Sequence, residues 1–194
     1  MAIFKFFVAV ILLPVVYASA VSFKLHLAHY PSAYDDIFSC GLGAFLLIYI
    51  FVYQFDAVNE FGQKISQGLF KVFSPFDRLI SYLFPFYPIV ICALFFVNKN
   101  FLKIEANDDY FLFFIGFSIA MHILLTAQNL QVEERTAIKP HYLLNIALIF
   151  IFNAALLVLL LDTINLKMTF PKYFSLVLEN SKEIYLSLIG YASR

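Results

Sequence analysis

Tryptophan is absent from the 194-residue chain, charged residues are scarce at 13%, and only two cysteines and six glycines occur. Each shortage excludes something. A soluble domain carries about a quarter charged residues, so this composition argues against a water-soluble globule. Lysine plus arginine and aspartate plus glutamate number 13 each; with no net charge and no basic tail, nucleic acid is not expected as a partner. Cys40 and Cys92 each sit inside an apolar run and are expected to be small buried side chains rather than a disulfide framework. No Gly-rich phosphate loop, Cys-x-x-Cys pair or Gly-x-Ser-x-Gly elbow is present. No apolar run alternates polar with apolar residues, as a membrane barrel would require. Neither an internal repeat nor a linker is visible, so inverted-repeat transport gains no support and residues 1–194 read as a single polytopic membrane domain.

What the chain has in abundance is apolar sequence: hydrophobic residues make up 62%, mean hydropathy is +0.85, and phenylalanine occurs 25 times, which reads as lipid-facing filling rather than chemistry. Five stretches, approximately 3–22, 38–56, 79–98, 110–131 and 141–162, come near or exceed the roughly 18 residues that cross a hydrocarbon core of about 30 Å. Backbone groups in lipid must pair internally, so each stretch is expected to be a helix. The fold class is therefore an all-α integral membrane protein of about five transmembrane helices. Lys5 followed by an apolar stretch ending in Ala18-Ser19-Ala20 also fits a cleavable signal peptide. The stretch continues through Val21 and Phe23, which favours a retained first helix that Pro14 would kink.

Two further segments are amphipathic. In 57–73, Val58, Phe61, Ile65, Leu69 and Val72 recur at helical spacing, while Asn59, Glu60, Gln63, Lys64, Gln67 and Lys71 fill the other side. This predicts a helix along the membrane surface or one dipping into a polar cavity, with Glu60 and Lys64 in the favourable i, i+4 order. In 171–189, Pro171 can start a second interfacial helix whose apolar face is Phe174, Val177, Leu178, Tyr185 and Leu188. Gly41 and Gly43 would permit close helix contact at the start of the second span. The first loop, 24–36, carries Pro31 and the Asp35-Asp36 pair. Six basic residues (Lys5, Lys64, Lys71, Arg78, Arg135, Lys139) fall on one side of the membrane and five (Lys24, Lys99, Lys103, Lys167, Lys172) on the other, a slight lean toward a cytoplasmic N-terminus.

Polar residues inside the spans stand out against this background. Ser118, His122, Thr126 and Asn129 form one stripe on the fourth span, and Asn145 and Asn153 lie in the fifth. Such groups should face the bundle and pair. A hydrogen bond from His122 to Asn153 would fix helix register; the functional alternative is a proton, metal or substrate site between the two spans. His26 and His29, with Asp35 and Asp36 close by, have donor types that zinc accepts, but in loose spacing they read as solvated loop residues. His141 reads as interfacial.

Several segments in order resemble the site-2-protease-like intramembrane zinc metallopeptidases. Gly41-Leu42-Gly43-Ala44-Phe45 is similar to the family's glycine-rich helix start, and Tyr82-Leu83-Phe84-Pro85-Phe86-Tyr87 to its proline-aromatic element. Gly116-Phe117-Ser118-Ile119-Ala120-Met121-His122 with Thr126-Ala127-Gln128 resembles a later helix, and Asn153 the asparagine of the last span. The resemblance covers 39–163 and implies a His-Glu-x-x-His zinc motif in the place where this chain reads Asn59-Glu60-Phe61-Gly62-Gln63. Spacing survives there and the ligands do not, since neutral amides are poor zinc donors. Without zinc, Glu60 has no bound water to activate. Asn59, Glu60 and Gln63 are thus a candidate catalytic remnant, and no zinc or other cofactor is expected. Plain chemistry offers a second reading of 59–63, the polar face of a surface helix.

The function expected from this is a catalytically inactive scaffold or regulatory subunit in a bacterial cytoplasmic membrane, with the lipid bilayer and a membrane-protein partner or transmembrane segment as its contacts. The alternatives are a small subunit of a transporter or export complex, and an active metallopeptidase in which Glu60, His122 and another histidine hold the metal.

Overall fold

A computed structural model describes residues 2–30, 33–52, 55–74, 77–102, 108–133, 140–165 and 167–192. Its elements are helical throughout: α1 (Ala2–Leu27), α2 (Ala33–Phe51), α3 (Asp56–Leu69), a 3₁₀ turn (Lys71–Phe73), α4 (Asp77–Leu83), α5 (Phe86–Val97) running into a π turn (Asn98–Leu102), α6 (Asp108–Glu133), α7 (Pro140–Asn165) and α8 (Phe170–Ala192). Pro31, Lys103, Arg135 and Lys139, used above for the first loop and the charge balance, lie outside the described residues.

Four helices are long and apolar enough to cross a membrane: Ile3–Leu27, Ala33–Phe51, Asp108–Val132 and His141–Asn165. The remaining expected span, 79–98, is not one continuous helix. Pro85 has no N–H to donate and its ring disfavours helical backbone at Phe84, so α4 stops at Leu83 and a new helix begins at Phe86. Pro88 falls in the first turn of α5, where a missing N–H leaves no intrahelical bond unmade. The apolar segment Phe86–Leu102 would reach about 25 Å at helical rise, close to the lower limit for a crossing.

The chain divides into two compact units, Tyr30–Asn129 and the combination of Met1–His29 with Leu130–Arg194. In the first of these, α2 and α6 run parallel. Tyr34 donates to Asp108 at 3.4 Å near their starts, and Tyr49 donates to Gln128 Oε1 at 3.0 Å near their ends. Between those bonds the backbones touch: a Cβ on Gly41 would strike the Phe113 carbonyl, and one on Gly116 the Phe38 carbonyl. Gly43 has open space instead, so only one of the two glycines expected to allow close packing does so. Phe45, Met121 and Leu125 form a core below this contact, with Phe117 edge-on to Phe45 at 5.2 Å. Two parallel spans cannot be joined without a return crossing. Among the described residues between them, Phe86–Leu102 is the apolar helix whose length comes near to supplying that crossing.

In the other unit α1 and α7 are also parallel. Lys5 bonds His141 at 2.9 Å at one end, and His26 bonds Thr169, just past α7, at 3.3 Å at the other. The tail helix α8 runs antiparallel along α1, through a Tyr173–His26 ring contact of 6.0 Å, an Asn180–Ser22 bond of 2.9 Å, and a bond from the Tyr185 hydroxyl to the Ile11 carbonyl. Its buried face is Tyr173, Val177 and Ser181. Of the face expected from sequence, Val177 is buried, whereas Phe174, Leu178 and Leu188 are exposed. Cys92 is buried as expected, but Cys40 is exposed, on the outer side of α2, where a thiol is apolar enough to face lipid.

Gly116→Ala should lower the stability of the detergent-solubilised protein by about 1–3 kcal/mol, because the new methyl meets backbone that cannot rotate away. Gly43→Ala should be neutral or raise stability by up to about 1 kcal/mol through helix propensity. Thermal unfolding of the two variants, followed by circular dichroism, checks the opposite signs.

Candidate functional site

The polar residues of Tyr30–Asn129 gather where α3, the α4–α5 break and α6 meet. Asn59, Gly62, Gln63, Ser66, Ser81 and His122 line, with Phe84, Phe86 and Tyr87, a small partly open cavity of about 10 Å³, room for about one water. Asn59, Ser66, Ser81 and His122 are buried.

Helix α3 supplies its wall by presenting three distinct faces. Asn59, Gly62 and Ser66 recur at helical spacing and point inward. Gly62 is buried against the Tyr87 ring, and a Cβ there would come within 2.9 Å of it. The Tyr87 hydroxyl in turn donates to the Val58 carbonyl at 2.5 Å. Val58, Phe61 and Leu69 are exposed on the side that suits hydrocarbon. Glu60 and Lys64 project from the remaining side, exposed and paired with each other at 3.4 Å. Of the two settings the sequence allowed for this segment, the polar-cavity one describes the inner face and the membrane-surface one the outer.

His122 meets this wall from α6. Its Nε2 lies 3.0 Å from the Tyr82 carbonyl. A carbonyl can only accept, so Nε2 carries the proton and Nδ1 is the acceptor of the neutral ring. Tyr82 belongs to the last turn of α4, next to the break at Pro85. His122 thus ties α6 to the end of α4 beside the proline break. Gln63 Nε2 is buried without a hydrogen-bond partner, leaving one donor in the cavity wall.

The expected site residues are partly brought together. Asn59, Gln63 and His122 share the cavity; Glu60, the acid of the candidate remnant, does not line it. Ser118 donates to the Ile115 carbonyl of its own helix at 3.1 Å, Thr126 is fully buried, and Asn129 is half-buried. His122 and Asn153, expected to pair, each have a bond within their own unit: Asn153 Nδ2 donates to the Ile149 carbonyl at 2.8 Å. Asn145 is half-buried on α7. Among the described residues no three His, Cys, Asp or Glu side chains gather as a metal centre would need. The cavity wall offers one imidazole, already bonded to a carbonyl, with amides and hydroxyls around it, and this donor set does not fit zinc.

A second polar cluster, at the far end of α1 and α7, centres on Asp162, which sequence reading did not single out. Its carboxylate is buried and accepts from the backbone N–H of Thr169 at 2.6 Å, from that of Phe170 at 2.7 Å, and from the Thr169 hydroxyl. An acid from α7 therefore caps the N-terminus of α8, satisfying free N–H groups and opposing the helix dipole. Thr169 also meets His26, while Lys172 donates to His29 Nε2 at 2.7 Å. Of the two histidines expected to be solvated loop residues, His29 is exposed in the turn after α1, whereas His26 is buried in the last turn of α1. The available signal was an aspartate closing an apolar span eight residues before the start of the next helix.

No protein-family model, curated protein or solved structure matches the chain.

His122→Leu should leave the Tyr82 carbonyl buried without this donor and cost about 1–3 kcal/mol. His122→Gln keeps an N–H that can reach the carbonyl and should cost less. Unfolding of both variants in detergent, compared with the parent, checks the order.

Proposed function

We propose that this chain is a non-catalytic multi-pass membrane protein, a scaffold or regulatory subunit that binds a membrane partner, whose polar cavity braces the bundle. One observation carries the reading. The only carboxylate of the 59–63 segment, Glu60, is exposed and engaged by Lys64 at 3.4 Å, while the cavity beside it is walled by Asn59, Gln63 and an imidazole already bonded to backbone. A metal-dependent hydrolase needs three metal-binding donors, an open coordination position and a base beside it. A cavity of about 10 Å³ also has no room for an extended peptide. The same small volume weighs against a transport route through this cavity. The likeness of the chain's motifs to site-2-protease-like proteins would then be that of a relative without the catalytic set, in a bacterial cytoplasmic membrane.

The test is a cleavage assay on a reporter transmembrane segment in vesicles containing the purified chain, with metal analysis of the same preparation. We expect no cleavage above empty vesicles and substoichiometric zinc. Tightly held stoichiometric zinc, or cleavage that disappears in Glu60→Gln, would reject the reading.

A further inference from the structure

Helix α8, expected from sequence to lie at the interface, packs instead along α1, a helix long and apolar enough to cross a membrane, and carries charge there. Its contacts with α1 run from His26 through Ser22 to Ile11. Ile11 lies about 12 Å inside one end of the Ile3–Leu27 span, and Ser22 about 8 Å inside the other. Glu179, Lys182 and Glu183 fall between the Tyr173 and Tyr185 contacts, hence alongside the hydrocarbon-embedded part of α1. All three are exposed, and the ion pair found among the described residues is elsewhere, between Glu60 and Lys64. Charges at such depth are expected to face a partner or water.

Their spacing identifies the partner. Ser175, Glu179, Lys182, Leu186 and Ile189 are separated by four, three, four and three residues and are all exposed. This is the alternating spacing of a coiled-coil seam. In a parallel pair of such helices, Glu179 would oppose Glu179 and Lys182 would oppose Lys182, placing like charges in contact in a low-dielectric setting. In an antiparallel pair the layers become Ser175 with Leu186 and Glu179 with Lys182, each occurring twice by symmetry, with Ile189 opposite Lys172 at either end. Both central charges are then neutralised by a single two-fold operation. Antiparallel association in a bilayer requires copies inserted in both orientations. With α8 returning along α1, Arg194 joins the N-terminal side and the basic residues divide seven to five, a small bias for a property that sets topology.

We propose that the exposed seam of α8 is the contact with a second, oppositely inserted copy of this chain, held by reciprocal Glu179–Lys182 pairs. The proposal is independent of whether the polar cavity is catalytic.

The experiment uses the full chain in detergent and in vesicles. Parent protein is expected to be dimeric. Glu179→Lys or Lys182→Glu alone should weaken association about tenfold or more, as juxtaposed like charges do, and the double reversal should restore it. In a background with Cys40→Ser and Cys92→Ser, mixing Glu179→Cys chains with Lys182→Cys chains should give more mixed disulfide than either chain gives with itself. A monomer at every concentration overturns the proposal, as does a double reversal no better than the single ones. An excess of same-position disulfides, or C-termini on one side of the membrane only, also overturns it. So does labelling of Cys at 179 by a water-soluble maleimide in the assembled protein, which would indicate a water-lined face.

Discussion

Hydrocarbon supplies no hydrogen bonds, so a helix interrupted inside it must find partners for the backbone groups it frees. In this chain the interruption is at Pro85, and the structure of residues Tyr30–Asn129 is arranged around it. His122 reaches from α6 to the Tyr82 carbonyl, the Tyr87 hydroxyl reaches from α5 to the Val58 carbonyl, and α3 turns its small polar face toward the same place. A histidine that would be costly on an isolated span becomes the group that joins three elements. The backbone contact of Gly41 with Phe113 and of Gly116 with Phe38 fixes α6 along its axis, and with it the height at which the imidazole meets α4.

Most of the architecture was legible in the sequence because long apolar runs have one structural solution in lipid. The four continuous spans follow from Phe, Leu and Ile runs alone. The remaining one illustrates the limit. Composition makes 79–98 apolar throughout, yet Pro85 divides it, and the crossing is recovered only from the parallel course of α2 and α6. Gly41 and Gly43 look alike in sequence, but rotation about the helix axis places one against backbone and leaves the other in open space.

The site was legible in part for a similar reason. The i, i+4 spacing of Asn59 and Gln63 puts them on one face, and polarity in a span marks His122 as inward-facing, so their meeting could be anticipated. What spacing could not reveal was where the bonds go. A side chain's partner depends on the neighbouring helix, and for His122 it is the Tyr82 carbonyl at the end of α4. Asp162 was missed because an acid at the end of a span ordinarily reads as a boundary marker. Its partners, the N–H groups of Thr169 and Phe170, follow a turn that sequence does not show to fold back.

The ties between α1 and the end of the chain span long stretches of sequence: Ser22 bonds Asn180 across 158 residues, and His26 bonds Thr169 across 143. Chain synthesis proceeds at about 5–20 residues per second, so α1 exists for roughly ten to thirty seconds before its partners emerge. During that interval its serines and histidine must be tolerated by lipid or shielded by insertion machinery. Closure of this half of the molecule is consequently among the last events of its biogenesis, and a ribosome stalled before the final helix would leave α1 anchored but unlatched.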